Sequence, residues 1–376
     1  MKAKYRIVLL PGDGIGKEVT AEARRVLETA QTTHGLNLEF EELPCGGEYF
    51  LRTGREWPEG SFERCKESDA VLLGAVGWPG AMRPDGNIAG YECVLGLRFG
   101  LDLYANVRPT KLYPNVRHKI HDEFQQVWKP EKVDFVIVRE NTEGFYTPAR
   151  GMLSRGGVEE VAIDTRVITR KGSERVIRYA YELANGRQGA KKDGKHRVTC
   201  IDKSNVLRGC QFFRAIFDEI GKHDYPKIER DYAYIDAFTQ WVLRQPEFYD
   251  VGVSTNAFGD IATDLSSVLG GSLGMAAGGN IGDHHAMFEP IHGSAPKHAG
   301  KDECNPMGAI LAAAMMLDWL GKKHGDERMR KAGVAVEGAV EAVLRDGKSL
   351  TYDLGGSARC SLVGKEIARA VDARSG

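Results

Sequence analysis

No apolar run in this chain is long enough to cross a bilayer. The longest, Met307 to Leu317, falls well short of a span, so a buried core or interface helix is expected there. Neither sign of charge is in excess: 51 basic residues face 52 acidic ones, for a net charge of −1. That balance gives no global reason to expect nucleic acid or an anionic membrane as a partner. The seven cysteines are odd in number, scattered and without a CxxC pair. They argue against a disulfide framework or a zinc site and for a reducing compartment, with the cytoplasm as the expected location. The opening MKAKYRIVLLPGDG has too short an apolar run for a secretory leader and reads as a first strand. Internal repeats, low-complexity segments and the GxGxxG dinucleotide fingerprint are all absent.

What is present is β–α alternation over a length that suits two or three domains. Strands are expected at 5–10, 36–43, 70–76, 133–138, 198–201, 232–235 and 250–254. A helix with Val19, Ala23, Val26, Leu27 and Ala30 on one face follows the first glycine turn. Ser173 is expected to cap a second helix bearing Val176, Ile177, Ala180 and Ala184, which ends at Gly186. The basic run 187–197 reads as a solvated loop. The glycine-rich stretch 270–279 and the region near 102–104 are candidate crossovers between domains.

Five stretches carry possible chemistry. Gly12-Asp13-Gly14-Ile15-Gly16 is a strand-to-helix turn that can also bring backbone close to a phosphate. In TNAFGDIATDL, Asp260 and Asp264 lie one turn apart if a helix begins near Gly259. Two such carboxylates repel unless a cation sits between them, and hard oxygen donors favour Mg²⁺ or Mn²⁺. The bland alternative is one capping and one solvated aspartate. Asp236, at the end of another strand, is a third candidate. Arg98, Arg108 and Arg139 offer planar forks for carboxylates. Tyr146, in RENTEGFY, and Lys203, in DKSN, are candidate proton donor and acceptor. FEPIHGSAP, followed by Asn305-Pro306, reads either as a loop around an adenosine or phosphate or as a structural Ω-loop.

Together and in order, PGDGIG, LRFGLDLYANVRP, VRENTEGFY, TNAFGDIATDL and FEPIHGSAP resemble the isocitrate and 3-isopropylmalate dehydrogenase family of β-decarboxylating dehydrogenases, over residues 5–358. The family also includes homoisocitrate and tartrate/D-malate enzymes. The resemblance implies an α/β, isocitrate/isopropylmalate dehydrogenase-like two-domain fold that is not a Rossmann fold. Residues 1–103 and 271–376 would form the cofactor-binding domain and 104–270 the central, dimer-forming domain. It implies a homodimer, or a higher assembly built from it, with shared active sites. Arg98, Arg108 and Arg139 would take substrate carboxylates. Asp260 and Asp264, with Asp236 of the partner subunit, would hold Mg²⁺ or Mn²⁺. Lys203 of the partner subunit would be the base and Tyr146 the acid. Ile15, Glu289, His292, Gly293, Ser294, Ala295, Lys297, His298 and Asn305 would line the NAD or NADP site.

Departures within the resemblance rank the substrates. Glu92 and Val94 stand where isocitrate enzymes carry Ser and Asn, and Leu95 where homoisocitrate enzymes carry Arg. Val94 and Leu95 suit an alkyl group, so 3-isopropylmalate or a related 3-alkylmalate comes first. Tyr91, in place of the usual Glu, and the segment 74–79 lean toward tartrate/D-malate, which comes second; isocitrate is third. A non-catalytic regulatory subunit would have lost Tyr146, Lys203 or an aspartate, and none is lost. Lys297, followed by His298, stands where NAD-dependent members carry Asp and where NADP-dependent isocitrate enzymes carry Lys-Tyr, and Tyr352 matches another of the positions that contact the 2′-phosphate of NADP. Gly356 stands in place of a further arginine. NADP is therefore modestly favoured, with NAD still usable.

Overall fold

The computed structural model describes residues 2–84 and 86–373. The chain folds as two units. The first comprises residues 1–103, 111–130 and 267–376; the second comprises 104–110 and 131–266. Against the expected borders at 103/104 and 270/271, residues 111–130 and 267–270 fall in the first unit, for a local reason. Beyond the strand Ala105–Lys111, the chain turns into a small hairpin, His118–Ile120 with Glu123–Gln125. The buried His118 ring is 3.1 Å from the carbonyl of Leu269, so 111–130 and 267–270 pack together.

In the first unit the strands lie in the order Leu38–Glu42, Tyr5–Gly12, Ala70–Ala75, Ala286–Pro290, Ala277–Ile281. The first four run parallel; the last pair is antiparallel. Ala70–Ala75 is buried throughout and Tyr5–Gly12 nearly so, as unbroken apolar runs covered on both faces should be. Val8, Leu10, Val71, Leu73, Leu97 and Met287 share one core cluster. The helices Gly16–His34, Met307–His324, Glu327–Asp346 and Cys360–Asp372 pack on one another. Met307–His324 is buried along most of its length, as its apolar run requires, and among the described residues no helix is long and apolar enough to cross a membrane.

The second unit orders its strands Glu229–Tyr234, Arg197–Asp202, Val251–Ser254, Asp134–Glu140, Ala105–Lys111, with the first four parallel. Its helix Arg170–Gly186 is capped by Thr169, whose hydroxyl accepts the Gly172 N–H at 2.9 Å. Ser173, the expected cap, is buried inside the helix. Thr169 takes over because Glu143 holds both its N–H (2.9 Å) and its hydroxyl (2.7 Å) in place. The basic run 187–197 is solvated only in its middle. Arg187 binds Asp250 and Asp134, and Arg197 is buried against Glu229, Asp193 and the Phe248 ring.

Candidate active site

The helix Asn256–Ser267 begins three residues before the glycine at which it was expected. It puts Asp260 and Asp264 one turn apart on one face, and three donors converge on them. Arg108 reaches Asp264 and the Thr263 hydroxyl, each at 3.0 Å, and lies 3.7 Å from Asp260. Arg139 pairs with Asp260. The Tyr146 hydroxyl donates to the other oxygen of Asp260 at 3.0 Å. Gly259 makes this possible: a Cβ there would meet the Arg139 side chain at 2.7 Å. Both guanidiniums are nearly buried, whereas the Asp264 side chain is 65% exposed. The centre thus has fixed cations behind and open carboxylates in front.

Lys203 and Asp236 form a separate pair at 2.6 Å. Lys203 follows the strand Arg197–Asp202, on a turn fixed by the fully buried Asp202. That carboxylate accepts the Ser204 N–H at 2.9 Å and both ends of the Arg214 fork at 2.8 Å. Asp236 opens the helix Ile235–Arg244 and is exposed. The hydrogen bond from Lys203 holds the Asp236 carboxyl below the usual carboxylate range. Among the described residues no three Asp, Glu, His or Cys side chains come within reach of one metal ion, so Asp236 does not join Asp260 and Asp264 within this chain.

In the first unit the glycine turn and the HGSAP loop meet. The Ile15 N–H donates to the Ser294 carbonyl at 2.9 Å. A Cβ on Gly14, at φ 56°, would lie 2.1 Å from that same oxygen, so only glycine fits. The Ser294 hydroxyl bonds the Gly77 carbonyl, and Ala295 sits at φ 40°. Gly293 and Lys297 are exposed. His292 has a buried Nε2 with no partner, and burial holds its pKa below the ordinary value. His298 bonds Glu303 at 2.7 Å and stacks on Tyr352, with ring centres 5.4 Å apart. Asn305 is buried; its amide bonds Asp353 at 3.1 Å and accepts the Met307 N–H at 2.9 Å. Arg98 and Glu289, expected to serve substrate and coenzyme respectively, are paired at 2.8 Å. Tyr91, Val94 and Leu95 are half-buried; the latter two lie in a π-turn, Glu92–Gly96, that runs into the short helix carrying Arg98.

The sequence profile of isocitrate/isopropylmalate dehydrogenase matches residues 6–369. The chain belongs to that family. A 3-isopropylmalate dehydrogenase of Bifidobacterium longum is 42% identical over 91% of this chain and 94% of its own. A 3-isopropylmalate/3-methylmalate dehydrogenase of Methanocaldococcus jannaschii is 39% identical over 98% and 99%. Among solved structures, an isocitrate dehydrogenase from Methylococcus capsulatus superposes with a TM-score of 0.82 at 34% identity, covering 98% of this chain and 99% of that one. The expected fold of this dehydrogenase family is thereby confirmed.

Residues that sequence reasoning gave no role also hold the candidate residues of each unit in place. The Asn256 side-chain oxygen accepts two Arg139 donors, at 2.9 and 2.7 Å, while its amide bonds the Glu143 carbonyl at 2.9 Å. Asn106 orients Arg108 at 2.8 Å. The buried Glu140 accepts the Thr142 N–H (2.7 Å), its hydroxyl (2.8 Å) and the Glu143 N–H (3.0 Å), which fixes the turn leading to Tyr146. Asp13 accepts the N–H groups of Gly47, Glu48 and Gly77, at 2.7, 2.8 and 2.8 Å. The only signal for these residues was a polar residue set among the motif letters.

Proposed function

We propose that this protein oxidises and decarboxylates a 3-alkylmalate, 3-isopropylmalate first, with a divalent cation and NAD or NADP. The observation that carries the reading is the Arg108–Arg139–Tyr146–Asp260–Asp264 cluster. The names of the Bifidobacterium and Methanocaldococcus relatives support the substrate class.

The residues suit the groups they would hold. Asp260 and Asp264 offer oxygen donors to Mg²⁺ or Mn²⁺, with Asp236 of the partner subunit as the third. Ile15, His292, Gly293, Ser294 and Ala295 offer a backbone cradle and an unpartnered imidazole nitrogen to the coenzyme, and Lys297 and His298 a basic edge. Asn305, its amide held by the fold, contributes through its backbone. Bound there, a divalent cation would polarise the substrate C2 oxygen and the nicotinamide would supply the hydride acceptor for C2. Arg108 and Arg139 exchange their aspartate partners for substrate carboxylates, which they fit as two-toothed forks. Arg98 has a buried Nε without an acceptor, ready for a further carboxylate oxygen. Lys203 of the partner subunit takes the hydroxyl proton. Tyr146 then protonates the enolate left as CO₂ departs.

A homodimer fits this division of labour. The hairpin of Arg150–Arg155 and Val158–Asp164 is exposed throughout, yet it carries Met152, Leu153, Val158, Val161 and Ile163. Such a patch marks an interaction surface. Tyr91 keeps tartrate/D-malate as the second reading. The test is a panel of 2-hydroxy diacids, each with NAD and NADP, read by nicotinamide absorbance and CO₂ release. 3-Isopropylmalate is expected to give the highest kcat/KM; a panel in which no 3-substituted malate reduces either coenzyme overturns the proposal.

A further inference from the structure

Glu56 is a buried carboxylate, 4% exposed, in a loop that the proposed chemistry does not use. One oxygen accepts the backbone N–H of Glu92 at 2.7 Å. The other is 3.1 Å from Arg83. The Glu56 carbonyl accepts the Gly46 N–H at 2.8 Å and faces the Cys93 thiol at 3.7 Å. Arg83 lies 5.5 Å over the Tyr91 ring and 3.9 Å from the Glu92 carboxylate. The contacts to Tyr91, Glu92 and Cys93 converge on the start of the π-turn Glu92–Gly96.

A π-turn is rare, and an α-helix is its low-energy alternative. Relaxing it by one residue rotates everything beyond by about 100°, since an α-helix has 3.6 residues per turn. Its persistence therefore needs an anchor at each end. At the far end Arg98 is held by Glu289 at 2.8 Å. At the near end the anchor is the charge-assisted bond from the Glu92 N–H to Glu56, which Arg83 in turn neutralises. Between these two lie Val94 and Leu95, with Tyr91 just outside, its ring face covered by Arg83.

We infer that Glu56 and Arg83 are positioning residues that hold the π-turn, and so decide which 3-substituent on the substrate is accepted. This rests on the reading above that Tyr91, Val94 and Leu95 face that substituent. Neither residue touches the reacting atoms. Their loss lets the turn rotate, moving the apolar wall while leaving the Asp260 cluster, in the other unit, unchanged. The signature is a KM effect confined to the branched substrate, with kcat for a small substrate preserved.

The experiment compares wild type, Glu56→Gln, Arg83→Met and Arg83→Lys on 3-isopropylmalate and D-malate, or on the two best-used diacids if those differ. Amide hydrogen exchange over residues 91–97 is followed in parallel. Glu56→Gln and Arg83→Met should raise KM for the branched substrate ~10-fold, the usual worth of a few misplaced apolar contacts. Their kcat on the smaller diacid should hold, exchange over 91–97 should speed up, and Arg83→Lys should recover part of the selectivity. If Glu56→Gln does not fold, Arg83→Met, at a partly exposed side chain, carries the same test. A selectivity ratio equal to wild type in folded variants overturns the inference while leaving the proposed function standing. A wild type that oxidises no diacid removes the proposed function and this inference with it.

Discussion

The candidate residues of the two units are of different kinds. In the second they are polar and charged side chains: Arg108, Arg139, Tyr146, Asp260 and Asp264 are bonded to one another. In the first, the loop 292–298 is shaped by backbone, with Ile15 N–H on Ser294 carbonyl and left-handed residues at Gly14 and Ala295. Side chains that cancel each other's charge are exchangeable for substrate and cation, so they suit the reacting end. A backbone cradle recognises shape and phosphate, so it suits a coenzyme common to many enzymes. Single substitutions should therefore hurt the second unit far more than the first.

The largest effect should come from Asp260→Asn. It removes the proposed cation ligand and a charge partner of Arg139. Even outer partners of a metal ligand cost about 10–100-fold, so the loss here should exceed that range. Steady-state rates against Mg²⁺ or Mn²⁺ concentration check it; full turnover in excess EDTA would remove the cation from the account. Next is Tyr146→Phe, expected to lower decarboxylating turnover by about 10²–10⁴-fold, the scale of a lost general acid. A wild-type rate in that variant excludes the hydroxyl as proton donor.

The Lys203–Asp236 pair sharpens the contrast, since it stands apart from Asp260 and Asp264 within one chain. Lys203→Met and Asp260→Asn chains, each inactive alone, should regain about a quarter to a half of wild-type activity when mixed into heterodimers, because one of the two sites is then intact. Heterodimers shown to form but without activity would place Lys203 in the same site as its own chain's Asp260.

The side-chain unit was the more legible of the two in sequence. The i, i+4 spacing of Asp260 and Asp264 survives because it depends only on helix geometry, and the arginines lie in long, specific motifs. What stayed hidden is what holds them: Asn256 under Arg139, Glu140 under the turn to Tyr146, Asp13 under three backbone N–H groups. Their roles come from neighbours far along the chain, which spacing does not encode. The strands Ala105–Lys111 and Ala277–Ile281 were missed for the same kind of reason. ANVRPTK contains proline and charge, and AGGNI reads as a loop until Gly279 is found against Phe288. The exposed hairpin 150–164 was missed as well, having no core of its own to leave a burial pattern.

In the backbone unit the side chain expected to matter is Lys297. It is exposed on the turn that also places His298 against Tyr352. Lys297→Asp exchanges an attraction for a 2′-phosphate for a repulsion and adds an acceptor for a ribose hydroxyl. The ratio of kcat/KM for NADP to that for NAD should fall ~10-fold, about 1.4 kcal/mol. An unchanged ratio would mean that Lys297 points away from the ribose.

The smallest effect separates the units by acid sensitivity. Burial holds the pKa values of His34, His285, His292 and His324 below that of a free imidazole, and all four lie in the first unit. Above about pH 6.5 these groups are neutral whether folded or not and cost nothing. Below it the unfolded chain binds protons that the folded chain refuses, so stability falls as pH drops from 7 toward 5. In the second unit the Arg197 guanidinium holds Glu229 below the usual carboxylate range, a contribution retained until pH falls below about 4. Burial raises the pKa of Glu140, which favours the folded state at lower pH. Hydrogen exchange at pH 5 should therefore quicken first in Met307–His324 and its neighbours, with the melting temperature lowered by a few degrees relative to pH 7. His324→Gln should flatten part of that slope. Equal loss of protection in both units at pH 5 would show that the buried histidines of the first do not govern its acid response.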